Sequence, residues 1–182
     1  MNHNQLNSSL NNILVVDDIA DNLRVLSASL TEKGYQVRCA KNGTMALITA
    51  KKNPPQLILL DIKMPDMDGY QVCAKLKEDE LTRDIPIIFL SAFDDVLDKV
   101  KAFSVGGVDY ITKPFQIEEV VVRIQHQLIL QAAQAEIVEL NTQLEQKVQQ
   151  RTAQLEAVID QLNLEIAQHQ QTQKQLSHQA LH

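Results

Sequence analysis

The chain has 182 residues, 45% of them apolar and 22% charged, which is long for one small domain, short for two, and neither disordered nor membrane-embedded by composition. Apolar runs such as 57–60 are far shorter than a bilayer span, and a net charge of −6 argues against nonspecific nucleic-acid binding, which demands a basic face. The polar start MNHNQLNSSLNN lacks the basic and apolar parts of a signal peptide, and Cys39 and Cys73 show no Cys-x-x-Cys or His spacing, so a cytoplasmic protein with reduced thiols is expected.

Residues 1–11 are expected to be disordered. From 12 onward, short β-branched or Leu-rich runs alternate with helical patterns. The strand candidates are Ile13 to Asp17, Gln36 to Ala40, Leu57 to Asp61, Ile85 to Leu90 and Val108 to Ile111. Helices are expected near 20–33, 43–52, 68–79 and 94–104, with Gly34 and Asn53-Pro54-Pro55 as stops. Five strands spaced by helices predict a parallel sheet covered on both faces, a flavodoxin-like doubly wound α/β fold. Ligands of such a sheet sit at the C-terminal strand ends, so the chemistry is sought there.

Strand one ends in Asp17-Asp18, strand three in Asp61 and strand four in Ser91-Ala92, while Lys113-Pro114 follows strand five. Asp18 alone reads equally well as a helix N-cap. As a set, however, three carboxylates repel one another unless a cation is present, and hard oxygen donors suit Mg²⁺. A hydroxyl and an ammonium beside such a site are what a phosphoryl group needs, since its transfer depends on positioning and charge neutralisation. An Asp there can act as nucleophile and form an acyl phosphate. The Lys113-Pro114 bond is open between trans, the ordinary form, and cis, which would aim the lysine into the pocket. Asp66 and Asp68 in MPDMDG read as a turn and a helix cap, and the five scattered His residues as surface groups.

Four ordered motifs, ILVVDD (13–18), LILLDIKMPDMDG (57–69), PIIFLSA (86–92) and GGVDYITKPF (106–115), resemble the receiver domain of two-component response regulators over about residues 12–124. The resemblance implies Asp61 as phosphoacceptor, with Asp17, Asp18 and the backbone carbonyl of Lys63 as further metal ligands. It implies Ser91 and Lys113 as phosphoryl-binding groups and Tyr110 as the aromatic switch that turns inward when Ser91 moves; the alternative for Tyr110 is a surface tyrosine at the strand edge. A sensor histidine kinase or phosphotransfer protein is the implied phosphodonor.

All Gly, Pro and aromatic residues lie at or before Phe115, and 17 of the 67 residues that follow are Gln. The segment from Gln116 to His182 therefore cannot form an ordinary core and must be a long helix, a helical hairpin or disordered, with 125–182 expected as a coiled-coil signalling helix. Val120, Val121, Ile124 and Leu128 form one face that packs on the sheet. Ile137, Leu140, Leu144, Val148, Thr152, Leu155, Ile159, Leu162 and Ile166 follow in steps of three and four, the seam of a coiled coil with a stutter near Val148. A parallel homodimer would cover that stripe along a helix reaching ~100 Å at ~1.5 Å per residue. QLSHQALH resembles the helix that leads into a diguanylate cyclase (GGDEF) domain, and VQQRTAQLEAVIDQLNLEI resembles linkers that precede sensor or histidine kinase modules. The expected protein is thus a phosphorylation switch joined to a dimeric coiled coil that drives an output domain beyond His182. The alternatives are the regulatory half of a diguanylate cyclase or hybrid kinase, and a stand-alone dimerisation adaptor. No nucleic-acid or membrane partner is expected.

Overall fold

The computed structural model of the chain describes residues 11–92 and 96–179, with side chains described for 11–92 and 100–177. The expectation for 1–11 lies outside these residues apart from Asn11, as does the expected helix start at 94 and 95.

Ten elements alternate along the chain: β1 (Asn12–Val16), α1 (Ala20–Glu32), β2 (Gln36–Ala40), α2 (Gly43–Lys52), β3 (Leu57–Asp61), α3 (Gly69–Glu78), β4 (Ile87–Ala92), α4 (Val96–Ser104), β5 (Asp109–Lys113) and α5 (Ile117–Gln179). The strands form one parallel sheet in the order β2-β1-β3-β4-β5. The chain winds outward from β1 to β2, then returns past β1 to β3, so the sheet changes direction between β1 and β3. Their carboxyl ends open into the crevice that such a reversal creates.

Alternate side chains of each strand feed opposite faces, which explains why the central strands are apolar throughout. Leu14, Val16, Leu60 and Phe89 pack with Ala46, Val72, Leu76 and Ala102 on one face; Ile13, Val15, Leu59 and Ile111 pack with Leu23, Leu26, Val120 and Ile124 on the other. Leu26, Leu59, Leu60 and Phe89 are completely buried, and each such side chain contributes about 1.5–3 kcal/mol relative to exposure. Asn42 caps α2 and Asp68 caps α3 through a reciprocal capping box with Gln71.

The limits of three strands differ from the sequence reading. β1 stops at Val16, so Asp17 and Asp18 stand just past the strand. β4 starts at Ile87, because Pro86 has no N–H for the ladder, and continues through Ser91 to Ala92. β5 runs to Lys113, beyond the expected Ile111, since Ser91 pairs with Thr112 and Ala92 with Lys113. The two edge-side strands extend each other, a cooperation that single-strand composition does not reveal.

The contacts divide the chain into one unit through Gln131 and a second from Ala132. Within the first, α5 buries Val120 and Ile124, with Val121 and Leu128 packed beside them. Within the second, the helix continues to Gln179 with Ile137, Leu140, Leu144, Val148, Leu155, Ile159, Leu162 and Ile166 all exposed. Neither the hairpin nor the disordered alternative is the one adopted. Among the described residues no helix is long and apolar enough to cross a membrane.

Candidate functional site

The loop leaving β1 places Asp17 and Asp18 beside the end of β3, where Asp61 stands. One carboxylate oxygen from each of the three lies within 4.8 Å of the others. Asp17 is fully buried and Asp61 is 5% exposed, while Asp18 faces solvent. The N-cap of α1 is Ile19, without a side-chain capping bond, so the capping alternative for Asp18 is not the arrangement found.

Lys113 closes the site from the end of β5. Its Nζ donates to Asp17 Oδ2 at 2.8 Å and to Asp61 Oδ1 at 2.7 Å. The Lys113-Pro114 bond is cis. Burial pushes the Asp61 carboxyl up to about 6, the charges of Asp17 and Asp18 push the same way, and the bond and charge of Lys113 pull against them. Burial works against the Lys113 ammonium, but its bonds to Asp17 and Asp61 outweigh that and hold its pKa above the ordinary lysine value. One ammonium thus faces three acids. The surplus negative charge, the oxygen donors and the exposed Asp18 fit a hard divalent cation, so the cluster is able to bind a metal.

Two residues outside the sequence reading shape this site. Asn22, in the first turn of α1, donates from Nδ2 to both Asp17 oxygens at 3.0 Å, and the Ile19 N–H donates to Asp17 Oδ1 at 2.9 Å. Asp17 is therefore held by α1 as well as by Lys113. Gly69 opens α3 with its N–H bonded to the Ile62 carbonyl at 2.9 Å. A Cβ there would overlap the Asp61 carbonyl oxygen and come within 2.9 Å of Ile62 Cα, so a side chain is excluded by the backbone that carries Asp61. Asn22 is one of several polar residues of α1 and nothing in its spacing from Asp17 marks it, while Gly69 was legible only as part of a motif.

Ser91 is buried on β4, one residue beyond Leu90, the register partner of Asp61. Lys63 lies two residues past Asp61 in the loop leaving β3, its side chain exposed. Tyr110 is half-buried, packs against the α2–α3–α4 face of the core, and meets Phe103 edge-on at 6.0 Å between ring centroids. Asp66 takes a left-handed backbone (φ 68°) in the β3–α3 turn, and Asp68 caps α3, so neither joins the carboxylate cluster.

Residues 13–125 match the response regulator receiver domain family. PleD, a response regulator of Caulobacter vibrioides, is 47% identical over 102 residues, covering 56% of this chain and 22% of PleD. RpaA of Synechocystis, a DNA-binding dual master transcriptional regulator, is 39% identical over 113 residues, covering 62% of this chain and 47% of RpaA. The crystal structure of the signal receiver domain of a histidine kinase from Syntrophus aciditrophicus superposes with a TM-score of 0.61 at 35% identity, covering 65% of this chain and 89% of that one. The chain spans about a fifth of PleD and about half of RpaA. With a family match across well over half its length, and with that family's parallel sheet and acidic pocket in place, the chain belongs to the response regulator receiver domain family of two-component signalling.

Proposed function

We propose that Asp61 is the phosphoacceptor of this receiver. Receiver domains interact with histidine kinases or phosphotransfer proteins, and the reaction would transfer a phosphoryl group from a donor histidine. An Asp61 carboxylate oxygen attacks phosphorus, the P–N bond to imidazole breaks, and the imidazole leaves with a proton as the acyl phosphate forms. Asp17, Asp18, Asp61 and the Lys63 backbone carbonyl would hold Mg²⁺, which when bound supplies charge neutralisation for the phosphoryl oxygens. Lys113 supplies a second positive charge from the end of β5, two strands from β3, Ser91 a hydroxyl donor, and Tyr110 follows Ser91 as the switch.

The observation that carries this reading is the Lys113 bridge between Asp17 and Asp61 at 2.8 and 2.7 Å inside a cluster of three carboxylates. That geometry offsets part of the negative charge around the nucleophile while leaving Asp18 open to solvent. Labelling with a small phosphodonor and Mg²⁺ tests it, with Asp61→Asn as the control.

In this reading residues 12–124 are the receiver and 125–182 a signalling helix that forms a parallel homodimer. The exposed Leu and Ile stripe of the second unit supports it, because a lone helix would leave that stripe in water. The protein is proposed to be cytoplasmic and to drive an output domain. A diguanylate cyclase is the favoured output, since joining two GTP molecules requires two facing domains and a dimeric lever sets their approach. The likeness of QLSHQALH to a cyclase lead-in helix supports this, and GTP turnover by the full-length product that depends on Asp61 would test it.

A further inference from the structure

The parallel-dimer reading leaves open the register in which two copies would meet, and the charges beside the apolar stripe bear on it. Arg151 immediately precedes the seam position Thr152, and Glu156 immediately follows the seam position Leu155. Among the described residues neither forms an ion pair within its own helix. Each also has a like-charged neighbour one turn away, Lys147 four residues before Arg151 and Asp160 four residues after Glu156. Like charges at that spacing weaken an isolated helix, and both side chains are exposed, so each is left available to an opposite charge on a second chain.

We propose that the segment 137–166 pairs with the same segment of a second copy in parallel and in register, with Arg151 of each chain against Glu156 of the other. This rests on the homodimer reading above. In a parallel two-stranded coil the residue before one core position faces the residue five places later on the partner, on the far side of the next core position. Arg151 and Glu156 have that separation, and the two-fold symmetry makes the contact twice. An antiparallel pair with full overlap of Ile137 to Ile166 has its midpoint between Arg151 and Thr152. It sets Arg151 beside Arg151 of the other copy, which is repulsive. The charges therefore select orientation and register, while Leu155, Ile159 and Leu162 supply the buried area.

Charge reversal in the whole chain tests this by light scattering and sedimentation at low salt, where exposed pairs are least screened. Arg151→Glu alone and Glu156→Arg alone should each weaken the dimer about ten-fold, because two attractive contacts become two repulsive ones. Mixing the two variants should yield heterodimers of about parental affinity, and the double reversal in one chain should also recover it. In a Cys39→Ser background, Leu155→Cys should oxidise to a covalent dimer, since an in-register core position meets its own copy. A dimeric parent whose single reversals are neutral, whose variants do not form heterodimers, or whose Leu155→Cys form does not cross-link overturns the parallel register alone. A monomeric parent overturns the dimer reading with it.

Discussion

Lys113 and Asp61 lie 52 residues apart in the chain, yet Lys113 Nζ donates to Asp61 Oδ1 at 2.7 Å across the carboxyl end of the sheet. The same ammonium reaches the fully buried Asp17. One cation thus ties β5 to β3 and to the β1–α1 loop. Because burial alone already drives Asp61 toward its protonated form, the lysine is what keeps the carboxylate available.

Replacing that lysine should therefore be visible at Asp61. In Lys113→Met the carboxyl should titrate above its present value of about 6, since the lowering influences are removed and burial remains. Carbon-13 NMR of side-chain carboxyl groups would follow it. An unchanged titration would show that Lys113 does not control Asp61.

The direction of that shift also sets a pH dependence. Asp61 holds its proton more tightly in the folded chain, about 6, than its ordinary value of 3.8. This group therefore favours the folded, metal-free protein increasingly as pH falls through 6, and its buried charge costs stability above that. A metal needs the ionised form, so protons compete with it. The rise in Tm produced by Mg²⁺ should be larger at pH 8 than at pH 5. Equal shifts at both would exclude Asp61 as a titrating ligand.

Gly69 gives a steric prediction. Gly69→Ala forces a Cβ against the Asp61 carbonyl and Ile62 Cα, which should destabilise the receiver by about 1–3 kcal/mol. Urea denaturation would measure it. Phosphorylation should slow as well, because the relief must move the strand end that carries Asp61. An alanine variant as stable and as fast as the parent would contradict this.

For the second unit, light scattering on the chain should give a dimer mass. The double variant Leu155→Asp, Leu162→Asp places charges in the exposed stripe and should shift the mass toward monomer. A parent that is already monomeric would remove the coiled coil from the account.

The sheet and the acidic cluster were legible because chemistry and periodicity coincide there. β1 and β3 are short apolar runs, and the ends of β1, β3 and β5 carry groups that could not be buried without a partner, Asp17, Asp61 and Lys113. What stayed hidden depends on contacts made through space. Asn22 gives no sign in the sequence that it donates to Asp17, and the extension of β4 and β5 to Ala92 and Lys113 comes from their mutual pairing. The long helix was open among three forms, since the absence of Gly and Pro permits a helix without requiring one. The uninterrupted α5, with Leu and Ile exposed along its second unit, gives the seam its physical basis.

Phosphorylation of the chain by a small phosphodonor with Mg²⁺, read by mass spectrometry with site mapping, tests Asp61 as the phosphoacceptor. One added phosphoryl group on Asp61 is expected, lost when Mg²⁺ is chelated beforehand and absent in Asp61→Asn. Full-stoichiometry labelling that survives Asp61→Asn would contradict it.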